Sequence, residues 1–340
     1  MNHQIGWGLT LALLGGVLNG SFAAPMKRLS GWRWENIWLV YAISGLLLLP
    51  WIIAAATVPH LGGVFQQASG GALAKIALFG FAWGIGAVLF GQGIARVGLA
   101  LGFPLILAIS SSFGSLLPLL ILHPDQLGTR HGEGLIAGTL VMVVGIAFLA
   151  LGGKRRESER ALATAQQSSG FGLGLVICIF SGIFSSMLNF AFVFGDEVRQ
   201  LSLQAGTSSA MSGNAIWALS VSCGFLPNAA YCFYLLNKNR TWGVYLHKTS
   251  RAAYTAGASL MGLLWYLGLV VYGTGADALG ALGTIVGWPV FMSMDIIAGM
   301  AWGFLGGEWK GASRKSLTYC IIGIVILFGA IGVIAFGNAT

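Results

Sequence analysis

Long, continuous apolar runs dominate the chain, and short polar segments separate them. Each run is close to the ~20 residues that an α-helix needs to cross a bilayer. The apolar positions do not alternate, and the ~10-residue segments of a membrane β-barrel are absent, so the pattern predicts helices. The ten predicted spans cover residues 5–25, 36–57, 74–95, 98–122, 134–152, 171–194, 211–236, 254–274, 281–304 and 317–337.

The composition excludes a soluble protein. Hydrophobic residues make up 56% of the 340 residues, charged residues only 8%, and the mean hydropathy is +0.81. A soluble domain carries about 25% charged residues. We therefore predict an all-α polytopic membrane protein with lipid as its main surroundings, present as a monomer or weak dimer. The cysteines lie in apolar runs without a CxxC pair, which is typical of small buried side chains rather than of metal ligands or disulfides. They are Cys178, Cys223, Cys232 and Cys320.

The basic residues predict the orientation of the spans. Loops that follow odd-numbered spans hold fifteen of the 18 lysines and arginines, whereas the even-numbered loops and both tails hold only Lys75, Arg130 and Arg199. Because basic loops stay in the cytoplasm, this distribution predicts that both termini lie outside it. The net charge of +8 then reflects topology, and we expect no nucleic-acid partner.

An internal repeat relates the two halves of the chain. Residues 78–98 align without a gap to residues 260–280, with eight identities in 21 positions. Span three therefore corresponds to span eight. The identical pairs include Gly80/Gly262, Trp83/Trp265, Gly86/Gly268, Gly91/Gly273, Gly93/Gly275 and Gly98/Gly280. Further on, the Gly-Phe-Pro sequence at 102–104 matches Gly-Trp-Pro at 287–289, which relates span four to span nine. The segments 15–20 and 181–186 match more weakly.

The repeat unit contains five spans. Because five is odd, the second copy enters the membrane from the opposite side, and we predict a 5+5 inverted-topology repeat. The predicted halves are residues 1–152 and 171–340, joined by a solvated cytoplasmic linker at 153–170. This architecture is common among secondary transporters, which hold their substrate between the two repeats near the bilayer midplane.

One acidic residue stands deep inside a span. Asp295 follows Pro289 by six residues in span nine, and Ser110 follows Pro104 by six residues in span four. Paired spans interrupted by proline point to a transporter site. An intramembrane acid is costly and usually faces a functional path, and apolar surroundings favour the proton-bound form of a carboxyl group. Asp295 is thus predicted to carry the coupling proton, although a sodium ligand, a substrate acceptor or a structural hydrogen bond would also account for it.

Aromatic and amide side chains inside the spans supply candidate substrate ligands. An indole ring can stack on the C–H face of a sugar while neighbouring amides and hydroxyls bind its hydroxyl groups. Each of these residues could instead serve helix packing. The candidates are Trp83, Trp265, Trp288, Tyr266, Tyr272, Asn19, Gln92, Ser110, Asn189, Asn214 and Asn228.

Other classes of protein lack their signatures in this sequence. There is no P-loop for ATP, and no HExxH or acidic metal cluster is present. All five histidines lie in tails or loops. We therefore predict that the chain is not an enzyme, needs no cofactor and binds no metal.

The sequence resembles the L-rhamnose–proton symporter family of the drug/metabolite transporter superfamily along nearly its whole length. The more specific pieces are residues 24–27 (APMK), 32–35 (WRWE), 83–86 (WGIG), 181–185 (SGIFS), 262–267 (GLLWYL) and 308–310 (EWK) with Arg314. The resemblance implies import of L-rhamnose or a related deoxy sugar with protons, across a bacterial inner membrane with both termini periplasmic.

The sequence departs from the family pattern around Asp295, where the family has an aromatic residue and a more polar preceding segment. Asn228 matches a family asparagine. Because of the departure, the sequence leaves open the exact sugar and the choice of proton or sodium. The alternatives are an exporter or facilitator of another metabolite with the same fold, and a non-transporting sensor or scaffold.

Overall fold

Ten long helices form a bundle in the computed structural model, which describes residues 2–97, 99–164, 171–246, 251–280, 283–307 and 309–339. All ten are long and apolar enough to span a membrane, which confirms the predicted all-α polytopic fold. Numbered α1 to α10, they are Asn2–Gly20, Trp34–Thr57, Gly70–Val97, Leu99–Leu122, Arg130–Thr164, Phe171–Val193, Asn214–Asn239, Arg251–Ala278, Gly283–Leu305 and Arg314–Ala339.

The outer surface of the bundle is apolar. Large aliphatic side chains such as Leu140, Ile179 and Val325 are more than 40% exposed, as expected where lipid replaces water. The interior holds tightly packed aromatic residues, with Trp217, Trp288 and Tyr272 almost completely buried.

One of the spanning helices departs from regular α-helical geometry. Helix α2 contains a π-helical segment, Ile43–Leu48, where Gly45 lies against Gly262 of α8. By contrast, the backbone of α4 remains helical through Pro104, and that of α9 remains helical through Pro289. The prolines therefore leave these two helices continuous.

The predicted linker begins as a continuation of α5. This helix runs on through Thr164, so residues 153–164 are helical, and residues 165–170 lie outside the described residues. Arg155 and Glu159 form an ion pair one turn apart, with 3.1 Å between the Arg155 Nε and Glu159 Oε1 atoms. Such pairs support an exposed helix. Glu159 also accepts a hydrogen bond from the Ser313 backbone N–H just before α10.

The loops separate into two ends of the bundle. At the odd-loop end, Lys27 and Trp309 from two loops and Arg156 from the end of α5 line one cavity. At the even-loop end, a short amphipathic helix, Asp196–Gln204, forms hydrogen bonds with Ser69 and Asp277 from two other segments. Its Glu197 accepts hydrogen bonds from the backbone N–H and the hydroxyl group of Ser69.

Several helix contacts involving the first five helices recur among the last five. Helix α1 packs on α8 and α9, and α6 packs on the counterparts of those two helices, α3 and α4. Helix α7 packs on α3 in the same way as α2 packs on α8. Counterpart helices also pack against each other: α5 with α10, α4 with α9 and α2 with α7.

Individual glycines show the same matching. A Cβ atom built on Gly16 of α1 would lie 2.8 Å from the Met294 Cβ atom, and one built on Gly182 of α6 would lie 2.6 Å from the Ile109 Cβ atom. Glycine lets the backbones of membrane helices approach this closely. Gly16 and Gly182 are counterparts in the sequence repeat, as are Ile109 and Met294 when α4 and α9 are aligned on their prolines.

Gly86 and Gly268 repeat this arrangement on α3 and α8. A Cβ atom built on Gly86 would lie 2.9 Å from the Ser185 backbone nitrogen, and one built on Gly268 would lie 3.0 Å from the Asn19 backbone nitrogen. Ser185 and Asn19 occupy equivalent positions in the repeat. Small residues thus bring α1 and α6 close to the centre of the bundle, where their polar side chains reach an internal cavity.

Candidate functional site

A chamber with about 100 Å³ of internal space lies at the centre of the bundle. Seven helices contribute to it: α1, α2, α3, α4, α6, α8 and α9. Its lining residues are Asn19, Phe22, Trp38, Tyr41, Trp83, Ala87, Phe90, Phe103, Leu107, Ser110, Ser185, Leu188, Trp265, Leu269, Trp288, Phe291, Met292 and Asp295. A mainly apolar wall with a few convergent polar groups is typical of small-molecule sites.

Trp83 and Trp265 form the aromatic centre of the chamber. Their rings stack with centroids 5.1 Å apart and planes inclined by 26°. Gly224 of α7 makes room for Trp83, because a Cβ atom there would lie 2.5 Å from the Trp83 ring. No described residue accepts a hydrogen bond from either indole N–H, so both remain available to a ligand. The sequence repeat pairs these two tryptophans, and the structure brings them into contact.

Helix α2 adds an aromatic wall that the sequence analysis did not single out. Trp38 and Tyr41 pack together with ring centroids 4.8 Å apart, and both line the chamber. Trp34 stacks on the outer side of Trp38 at 4.9 Å. The spacing of these three aromatics places them on one face of the helix. That periodicity is the signal that could have identified the wall.

Asn228 stands behind Trp38 rather than in the chamber. Its Oδ1 atom accepts a hydrogen bond from the Trp38 indole N–H at 2.9 Å. Its Nδ2 atom donates to the carbonyl oxygens of Gly84 and Gly224, at 3.3 and 2.9 Å. The amide therefore positions a chamber residue while its own polar atoms are already bonded within the protein.

Asp295 lies in the wall of the chamber and is only 6% exposed. No described residue donates a hydrogen bond to its carboxyl group or forms an ion pair with it. It is also the only acidic or basic side chain among the described residues that line the chamber. Gly20 of α1 gives it room, since a Cβ atom there would lie 2.9 Å from the Asp295 Oδ1 atom. A buried carboxyl group without a partner can bind and release a proton.

Three further polar side chains face the same space. The Ser110 hydroxyl is buried, and no described residue forms a hydrogen bond with it. The Asn19 side chain donates to the Trp265 carbonyl oxygen at 3.2 Å, and no described residue donates to its amide oxygen. Ser185 contributes a hydroxyl from α6, at the position equivalent to Asn19. These groups provide the convergent polar contacts of the chamber.

A second cavity, with about 130 Å³ of internal space, adjoins the chamber at the odd-loop end, and we call it the vestibule. Phe22, Phe103 and Asp295 line both cavities, so they form the boundary between them. The outer part of the vestibule is lined by Lys27, Arg156 and Trp309. Asp295 therefore lies between the central chamber and a space that leads towards the basic loops.

Asn189 and Tyr272 are bonded to each other beyond the chamber wall. The Tyr272 hydroxyl lies 2.7 Å from the Asn189 Oδ1 atom, and the Asn189 Nδ2 atom donates to the Gly114 carbonyl oxygen at 2.9 Å. Both side chains are fully buried on the even-loop side of Trp288. Trp288 itself lines the chamber and donates its indole N–H to the Ser110 carbonyl oxygen at 3.3 Å.

Three other candidate ligands lie away from the chamber lining. Tyr266 is fully buried on α8, and its hydroxyl has no hydrogen-bond partner among the described residues. Gln92 is half-buried near the odd-loop end of α3, where its backbone carbonyl accepts a hydrogen bond from Arg96. Asn214 begins α7 and donates to the Thr57 hydroxyl at 2.9 Å.

The described part of the chain contains no group of three or more His, Cys, Asp or Glu residues placed to hold a metal ion. The four cysteines are free, and three of them are buried.

Comparison with known proteins gives one consistent relationship. The family model described as the L-rhamnose-proton symport protein matches residues 1–340. Among curated proteins, an L-rhamnose-proton symporter of Klebsiella pneumoniae subsp. pneumoniae is 27% identical over 346 residues, covering 100% of both chains. Similar proteins of the same name occur in Cronobacter sakazakii, 27% identical, and in Escherichia coli strain 55989, 26% identical, again over 100% of both chains.

Proposed function

The chain belongs to the L-rhamnose-proton symport protein family, and from that premise we propose that it imports L-rhamnose together with protons. Its relatives are named as symporters rather than as enzymes. The central chamber carries the proposal, because it combines stacked indoles, unpartnered polar groups and one buried carboxyl group in a single space.

The sugar would lie against Trp83 and Trp265. Indole rings present apolar faces that suit the C–H face of a pyranose, and their N–H groups can donate to hydroxyl oxygens. Asn19, Ser110 and Ser185 would bind the remaining hydroxyls. The methyl group of a 6-deoxy sugar needs no polar partner, and the chamber offers it phenylalanine and leucine side chains.

Asp295 would carry the coupling proton. Its position between the chamber and the vestibule allows it to bind a proton beside the sugar and to release it as the chamber opens towards the basic loops. The absence of a described basic partner supports this role, because a neighbouring cation would favour the ionised carboxylate and hinder proton binding.

We assign the odd-loop end to the cytoplasm and both termini to the periplasm of a bacterial inner membrane. The excess of lysine and arginine in the odd loops supports this orientation. The vestibule would then face the cytoplasm, and the chamber would be closed towards the periplasm.

Alternating access would arise from two inverted five-helix repeats, α1–α5 and α6–α10, that move against each other around the chamber. The matched helix packing and the equivalent glycine contacts support this division. Asn19 and Ser185, Trp83 and Trp265, and Ser110 and Asp295 would be equivalent pairs on opposite walls of one site.

Uptake by the purified protein in proteoliposomes tests the proposal. An imposed inward proton gradient should drive accumulation of labelled L-rhamnose, and a protonophore should abolish that accumulation. Rhamnose flux that ignores the gradient would indicate a facilitator, and binding without flux would indicate a sensor; either result would contradict symport. A thermal-shift screen against hexoses and amino acids would identify a different substrate, since a bound ligand stabilises the folded protein.

A further inference from the structure

Two aromatic pairs flank the chamber, one towards each end of the bundle. Towards the even-loop end, Tyr272 and Trp288 meet edge to face with ring centroids 5.5 Å apart at 67°. Towards the vestibule, Phe90 and Phe103 meet edge to face at 5.8 Å and 76°. Phe90 aligns with Tyr272, and Phe103 aligns with Trp288, in the sequence repeat. Because their positions correspond and their geometry is similar, we call these pairs the two gates.

A glycine lies against the aromatic ring at each gate. A Cβ atom built on Gly114 would collide with the indole nitrogen of Trp288, and one built on Gly299 would lie 3.4 Å from the Phe103 ring. Gly114 and Gly299 are themselves counterparts in the repeat. The two gates thus share their backbone framework as well as their aromatic pairs.

Hydrogen bonding distinguishes the two gates. At the even-loop gate, Tyr272 of α8 bonds to Asn189 of α6, and Asn189 bonds in turn to the backbone carbonyls of Gly114 in α4 and Thr284 in α9. Four helices are therefore joined through one buried amide. The Tyr272 hydroxyl also lies 3.2 Å from the Thr284 carbonyl oxygen.

At the vestibule gate, no hydrogen bonds of this kind join the residues that the structure describes. Phe90 stands where the other gate has Tyr272, and Ala23 stands where it has Asn189, so neither side chain has a polar atom. This gate is held by apolar contacts between rings, and the vestibule lies immediately beyond it. A difference of this kind biases a two-gate transporter towards the state in which the bonded gate is closed.

We propose that the Tyr272–Asn189 pair is a lock on the periplasmic gate and holds the resting transporter open towards the cytoplasm. The proposal rests on the proposed function for the orientation and for the repeat. Removing one buried hydrogen bond from the locked state should shift the balance between the two states by roughly 5- to 30-fold. Tyr272 and Asn189 would thus set the conformational equilibrium without contacting the sugar.

Accessibility of the chamber measures this equilibrium directly. A Ser110→Cys variant places a thiol in the chamber wall beneath the periplasmic gate. A membrane-impermeant maleimide, added outside right-side-out vesicles, labels this thiol at a rate that can be measured. The labelling of the protein that lacks the Ser110→Cys change is subtracted. Adding Tyr272→Phe should raise the rate roughly 5- to 30-fold, and labelling in inverted vesicles should fall. Asn189→Ala should act in the same direction.

Tyr266→Phe is the matched control. This change also removes a buried hydroxyl from α8, but that hydroxyl has no hydrogen-bond partner among the described residues. The Ser110→Cys protein carrying Tyr266→Phe should therefore be labelled at the same rate as the Ser110→Cys protein alone. If Tyr272→Phe and Asn189→Ala both label at the parent's rate, the lock does not exist. Labelling needs no sugar, so a parent that fails to transport L-rhamnose would overturn the proposed function and leave this test intact.

Discussion

Replacing Asp295 with asparagine should separate sugar movement from proton movement. Asparagine has nearly the same size and can still form hydrogen bonds, but it cannot bind and release a proton near neutral pH. Asp295 is the only acidic or basic side chain among the described residues that line the chamber. We therefore expect one proton to accompany each sugar in the parent protein and none in the Asp295→Asn variant.

This stoichiometry sets the magnitude of the effect. Moving one elementary charge through 100 mV corresponds to about 2.3 kcal/mol. Since about 1.36 kcal/mol corresponds to a tenfold ratio, the parent should accumulate L-rhamnose roughly 50-fold at 100 mV. A variant that carries sugar without a proton should only equilibrate it, to a ratio of about 1.

The assay uses proteoliposomes in which a potassium diffusion potential of defined size drives uptake of labelled L-rhamnose. Asp295→Asn should lose accumulation but keep exchange of external for internal sugar. Ser110→Ala, at the equivalent position in the first repeat, is the matched control, because it removes a polar chamber group without changing charge. It should weaken sugar binding and preserve the accumulation ratio. If Asp295→Asn accumulates sugar to the parent's ratio, the carboxyl group does not carry the coupling proton.

Three further predictions concern positioning, packing and pH. Asn228→Ala should raise the KM for L-rhamnose roughly tenfold by releasing the Trp38 ring. Adding Trp38→Phe to this variant should raise the KM little further, because both changes break the same contact. Additive effects of the two changes in uptake assays would contradict this positioning role of Asn228. Gly16→Ala should lower the free energy of unfolding by about 1–3 kcal/mol, since the new Cβ atom would lie 2.5 Å from a carbonyl oxygen of α9. In the control variant Gly6→Ala, the new Cβ atom meets no atom within 4 Å, so this change should be tolerated. Equal thermal unfolding of the two variants would show that close packing at Gly16 does not contribute to stability. Hydrogen bonds from the residues at the start of α10 lower the pKa of the Glu159 carboxyl, so its stabilising effect should be present above the ordinary pKa of glutamate and lost as the pH falls through the lowered value. The Glu159→Gln variant should therefore unfold with a weaker acid dependence than the parent. Identical pH profiles of unfolding would show that this contact does not contribute to stability.

The sequence alone predicted the elements that depend on local composition. Apolar runs longer than a bilayer predict helices whatever surrounds them, so all ten spans were identified. Gly-Trp patterns at matching positions paired Trp83 with Trp265, and the isolation of Asp295 within an apolar run marked it as unusual. Each of these signals is present within one or two segments of the chain.

The features that the sequence did not reveal depend on how helices meet. Asn189 and Tyr272 were both predicted as candidate substrate ligands, but only the convergence of four helices shows that they bond to each other. Trp38 and Tyr41 lie on a helix whose first residues resemble an aromatic anchor at the membrane interface. Their place in the chamber wall follows from the close packing of α2 against α8, where Gly45 meets Gly262.

A structure determined with L-rhamnose bound would show whether the chamber is the transport site. We expect the sugar to lie in the chamber with one face against Trp83 or Trp265, and the Asp295 carboxyl group to lie on the wall of the same space. A sugar bound elsewhere, or an Asp295 side chain directed towards the lipid, would contradict this expectation.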